Sequence, residues 1–139
     1  MTAPVAPTTQ HAGWLLDQFA RQVPGVVHAA IVAADGLCIA RTSRLSADMA
    51  DPLAAITAGM ASLTGGAARH FGAEPVIQTV IEMSGLYLCL MSISDGSHLV
   101  VLAAPDADLG KVAFEMVRLV ERVGESAFTP ELRPADARA

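Results

Sequence analysis

Charge, aromatic rings and cysteine are all scarce in this chain. Asp, Glu, Lys and Arg make up 17% of the 139 residues, against 53% hydrophobic residues. That is greasy for a monomer and points to surface buried in an assembly. Aromatics reach only 4%, with a single Trp and a single Tyr. So few rings argue against a ligand pocket built on stacking. No run of Lys and Arg occurs, and the formal net charge is -5. That balance argues against nucleic acid as a partner, because phosphate contacts need clustered cations.

Long apolar runs are missing too. A membrane span needs about 20 consecutive apolar residues, whereas LYLCLM (86–91) and LVVLAA (99–104) are only strand-length. No direct membrane insertion is expected. The start, MTAPVAPTTQHAG, lacks the basic opening and long apolar core of a signal peptide. Residues 1–12 read as a disordered tail. Cys38 and Cys89 stand in apolar strand-like runs and read as buried free thiols of a reducing cytoplasm.

The motifs of chemistry are equally sparse. Neither GxxxxGK[ST] nor GxGxxG occurs, so no phosphate-cradling loop is expected. His11, His28, His70 and His98 show no metal spacing with the cysteines. His28 and His98 fall in strands that could be neighbours, where a satisfied or half-exposed strand histidine is a simpler reading than a metal ligand. Ser62 and Ser84 have no flanking elbow motif. No catalytic residue, metal or cofactor is assigned, and the chain does not read as an enzyme.

What is present is an ordered series of elements. Residues 13–22 carry Leu15, Leu16 and Phe19 on one helical face, and Pro24-Gly25 ends that helix. Two apolar runs, 26–33 and 37–42, flank Asp35-Gly36, a strong hairpin signal. A long helix follows, capped by Ser46 or Asp51, with Pro52 suited to its first turn and Gly72 after its end. Strands are expected at 75–83, 86–93 and 97–104, separated by Ser84-Gly85 and Ser94-Asp95-Gly96. A last helix starts at Asp106 or Asp108 and carries an apolar stripe from Leu109 to Val123. Residues 125–139 read as a flexible tail after a domain at 13–124. The order helix-strand-strand-helix-strand-strand-strand-helix, joined by tight turns, predicts a three-layer α/β sandwich on a five-stranded, mostly antiparallel sheet.

The long helix is unusual. Its stretch AAITAGMASLTGGAARHF (54–71) holds three glycines, and Pro52 to Ala68 contains no charge. Each interior glycine costs a helix about 1 kcal/mol relative to alanine. A helical wheel places Leu53, Ile56, Met60, Leu63, Ala67 and Phe71 in one stripe, which is expected to lie on the sheet. The opposite arc holds Ala54, Ala55, Ala58, Gly59, Ala61, Ser62, Gly65 and Gly66. Nothing there exceeds serine in size, so a second backbone can approach closely. That arc is expected to be an interface with a second copy, a partner, or both.

WLLDQFARQVPGVVHAAIVAADGL (14–37), the small-residue helix, ISDGSHLVVLAA (93–104) and LGKVAFEMVRLVERVGESAFTPELR (109–133) together resemble the Roadblock/dynein light chain family. The likeness is greatest to its actinobacterial branch, whose members usually have Ser where Ala33 stands. The resemblance implies a homodimer in which the second helix and third strand of each subunit meet their symmetry mates. Val76, Gln78 and Val80 of the third strand then join the interface. It further implies a small Ras-like GTPase as partner, docked on the paired second helices. Activation or localisation of that GTPase is the implied role. In bacteria such proteins are often encoded beside a sensor kinase, a further candidate partner. Arg41, Arg44 and Arg69 are the candidate arginine fingers, with solvated arginines the plainer reading. The alternative function is a small-molecule-sensing domain of the same three-layer fold.

Overall fold

A computed structural model describes residues 7–124. Two hairpin turns of the same build set the frame of the sheet. In the first, Ala33 N–H bonds Leu37 O at 2.8 Å and Gly36 N–H bonds Ala33 O at 2.9 Å. In the second, Ile93 N–H bonds Ser97 O at 2.8 Å and Gly96 N–H bonds Ile93 O at 3.1 Å. Asp35 and Asp95 each accept the N–H two residues on. Gly36 and Gly96 sit at φ 90° and 93°, where a side chain would be strained.

These turns join β1 (Val26–Val32) to β2 (Cys38–Arg41) and β4 (Leu86–Ser92) to β5 (His98–Ala103). With β3 (Thr79–Met83) they form one sheet in the order β2-β1-β5-β4-β3, with every pairing antiparallel. The expected three-layer sandwich is therefore the observed one. Helices α1 (Pro7–Gln22) and α3 (Leu109–Val123) cover one face, and α2 (Ala47–His70) the other.

Each face has its own core. Leu15, Leu16, Phe19, Val112, Met116 and Leu119 bury Ile31, Cys89, Leu99 and Val101 on the α1/α3 side. Leu53 and Ala54 meet Ala30, Val32, Leu90 and Val100 on the α2 side. Central strands β4 and β5 are buried on both faces over most of their length, as their continuous apolar runs predict.

Three boundaries differ from expectation by more than one residue. α1 begins at Pro7, within the stretch expected to be disordered. Proline suits a first helical turn, and Ala12 extends the apolar stripe into the core. α2 is capped by Ser46, whose Oγ accepts Met49 N–H at 3.3 Å, so Pro52 lies inside the helix rather than in its first turn. The third strand forms only over Thr79–Met83. Pro75 has no N–H for a ladder, and residues 75–78 instead run beside the end of α2. The tail expected at 125–139 lies outside the described residues.

Helix ends follow their side chains. α2 closes in a Schellman motif, with Ala73 N–H on Ala68 O at 2.7 Å, Gly72 N–H on Arg69 O and Gly72 at φ 64°. Asp108 caps α3 by accepting Lys111 N–H at 3.2 Å.

Candidate functional site

Small residues hold α2 to the sheet. Ala50, Leu53, Ala54, Thr57 and Ala68 are buried, and Met60 and Ala61 pack on the same cluster. At 100° per residue this face is turned by roughly a quarter turn from the expected stripe. The correction moves Ala54 and Ala61 out of the proposed interface and under the helix. Alanine there lets the helix backbone settle close to Ala30, Val32 and Val100.

The same rotation sends large apolar side chains outward. Leu63 is 77% and Phe71 78% exposed, and Met49 and Ile56 also point to solvent. Met49, Ile56 and Leu63 recur every seven residues, a spacing that was available in the sequence as a seam of its own. Ala55, Gly59 and Ser62 are exposed as expected. Ala58 is half-buried, and a side chain on Gly36 would touch its Cβ at 3.6 Å. Gly65 and Gly66 are half-buried under Arg69, whose guanidinium nitrogens lie 3.5 and 3.8 Å from where their Cβ atoms would stand. A Cβ on Gly59 would meet nothing within 4 Å. Packing among the described residues therefore does not account for that glycine.

The apolar surface continues onto the sheet edge. Val80, Ile81 and Met83 of β3 are exposed, as is Ile77 just before it. Val76 is half-buried and Gln78 exposed, both in the connector rather than in a strand. Val80 pairs with Cys89 and so faces the α1/α3 side, whereas Ile81 pairs with Leu88 and faces the α2 side. The opposite edge, β2, is protected by being short and by Arg41, whose Nε bonds Leu45 O at 2.8 Å. At the β3 edge, exposed apolar side chains stand on both faces of the sheet.

Reactive side chains are muted. Burial raises the Cys38 and Cys89 thiols above their ordinary range, with Arg41 opposing the shift at Cys38. Burial lowers the His98 imidazole, with Asp95 opposing it. β1 and β5 are neighbours, but His28 stands opposite Leu102 and His98 opposite Val32, so the two rings are not paired. Among the described residues no group of three His, Cys, Asp or Glu side chains could hold a metal ion. No helix among them is long and apolar enough to cross a membrane. A 220 Å³ cleft opens between the end of α2 and residues 74–79.

Comparison with known proteins gives these features a context. The model of the Roadblock/LC7 domain matches residues 12–103. A Roadblock/LC7 domain from Streptomyces avermitilis is 32% identical, with a TM-score of 0.78 over 87% of this chain and 97% of that one. MglB from Myxococcus xanthus is 17% identical, with a TM-score of 0.80 over 89% and 92%. The gliding protein MglB from Thermus thermophilus is 22% identical, with a TM-score of 0.79 over 90% and 94%. Among curated proteins nothing matches.

Proposed function

The chain belongs to the Roadblock/LC7 domain family, and from that premise we propose that it is a homodimeric adaptor for a small Ras-like GTPase. One observation carries the dimer: large apolar side chains are exposed on α2, at Ile77 and along the free β3 edge. Antiparallel pairing of β3 with its mate satisfies the open edge and extends the sheet across the twofold axis. The α2 helices then lie side by side, covering Ile56 and Leu63. Full burial of such a side chain contributes about 1.5–3 kcal/mol. Gly59, Ala55 and Ser62 keep the helix flank low enough for a partner backbone.

The GTPase rests on the family and on the character of the surface. An adaptor needs an exposed face and no reactive centre. The outer α2 surface is exposed and carries no charge from Pro52 to Ala68. Both faces of the sheet carry filled cores, which favours an adaptor over a small-molecule-sensing domain.

Light scattering on co-eluting mixtures tests the reading. The protein is mixed with a small Ras-like GTPase from the same source, loaded with GDP or with a non-hydrolysable GTP analogue. A complex formed only with the GTP form is expected. A dimer that shifts with neither form would remove the GTPase from the account.

A further inference from the structure

The side of the sheet opposite α2 carries a local reversal of charge. The chain has a formal net charge of -5, yet Lys111, Arg118 and Arg122 line one cleft of 280 Å³ between α1 and α3. These two helices pack side by side on the face that α2 does not cover. Buried Phe19, Val23 and Leu119 floor the cleft, and Gln22 stands on its α1 wall. Glu115 is the one carboxylate that lines it.

Helical spacing builds the row. Lys111, Glu115, Arg118 and Arg122 follow one another at steps of three or four residues, so they share one flank of α3. Val112, Met116, Leu119 and Val123 hold the adjoining face in the core, which fixes that flank beside α1. Both guanidinium groups have neighbours that orient them. Arg118 Nη1 lies 3.9 Å from Glu115 Oε1. Arg122 Nη2 donates to Gln18 Oε1 at 3.2 Å. Glu115–Arg118 is the single ion pair among the described residues, so neither Lys111 nor Arg122 has a described carboxylate within ion-pair distance. Glu121, the other carboxylate of α3, does not line the cleft. Three cations against one carboxylate leave the cleft net positive.

We propose that this cleft docks an extended acidic segment of a partner protein, its carboxylates on Arg118 and Arg122 and its end reaching Lys111. The length of the row selects the ligand. One guanidinium fork satisfies a single carboxylate or phosphate. From Lys111 to Arg122 the helix rises about 16.5 Å, which an extended chain covers in about five residues. Alternate side chains of such a chain stand about 6.6 Å apart, close to the step of about 6 Å from Arg118 to Arg122. The cleft lies across the sheet from α2, so docking does not depend on the α2 interface.

The probe is a fluorescent peptide of alternating Glu and Ser, about eight residues long, with a Lys-for-Glu version as its counterpart. Binding to the full chain is followed by anisotropy. The acidic peptide is expected to bind, more weakly as salt rises, and the basic one not to bind. The double variant Arg118→Gln/Arg122→Gln is expected to weaken binding by about tenfold, the scale of two exposed charge pairs. Both residues are exposed, and circular dichroism verifies that the variant folds. A control with the same loss of charge, Arg44→Gln/Arg69→Gln, at exposed positions outside the cleft, is expected to change binding little. Leu63→Arg, on the α2 face, leaves peptide binding intact, so failure of the α2 dimer and failure of the cleft are separable. Absence of binding by the acidic peptide, equal binding of both peptides, or equal loss in the two double variants would overturn the proposal. So would displacement of the peptide by inorganic phosphate at constant ionic strength, because the cleft would then serve a single small anion.

Discussion

Leu53 and Ile56 stand three residues apart on α2, yet Leu53 is 9% exposed and Ile56 53%. The boundary between the sheet-facing and outward sides of the helix passes between them. Leu53→Ala is expected to destabilise the protomer by about 2–5 kcal/mol, the range for buried leucine truncations. Ile56→Ala should leave protomer unfolding nearly unchanged and weaken self-association instead. Denaturant unfolding and sedimentation of both variants check the contrast.

Gly59 offers a test by sign. A Cβ there meets nothing within 4 Å in the protomer. Gly59→Ala should therefore stabilise the isolated protomer by about 0.5–1 kcal/mol. If a partner backbone crosses this point, the same variant weakens the dimer. Opposite signs in protomer unfolding and dimer dissociation are predicted.

Thr42 ties β1 to the start of the β2–α2 loop. Its buried Oγ1 accepts Ala29 N–H at 3.2 Å and donates to Ala29 O at 3.3 Å. Thr42→Val keeps the shape and removes both bonds. A loss of about 1–3 kcal/mol is expected, measured by urea unfolding.

His98 links stability to pH. Burial lowers its pKa below the ordinary value of 6.5. The folded chain thus keeps the imidazole neutral to lower pH than the unfolded chain does. Between the two pKa values the unfolded state binds more protons. Stability from this group is present above pH 6.5 and is lost as pH falls toward the folded pKa. His98→Gln should flatten that part of the stability–pH curve.

Arg69 is the charged side chain closest to the α2 glycines, and its guanidinium lies along Gly65 and Gly66. If GTP hydrolysis is stimulated, the expected route is repositioning of the GTPase's own residues. Arg69→Ala should then retain stimulation. Loss of stimulation with intact binding would instead make Arg69 an arginine finger.

Much of the fold was legible because glycine and aspartate announce it. Asp35-Gly36 and Asp95-Gly96 marked two of the three hairpins, and the apolar runs of β4 and β5 marked the centre of the sheet. The face of α2 was harder to read. A wheel assigns the largest apolar stripe to the core, but α2 has two apolar sides and keeps the small one for the sheet. Ala54 and Ala61 therefore went inward and Ile56 and Leu63 outward.

The central claim is that a second copy covers the outer face of α2 and the edge of β3. Light scattering on the wild-type chain and on Leu63→Arg tests it most directly, with circular dichroism to verify folding. A two-subunit mass for the wild type and a folded single subunit for the variant are predicted. A single-subunit wild type, or a variant that keeps the two-subunit mass, would contradict it.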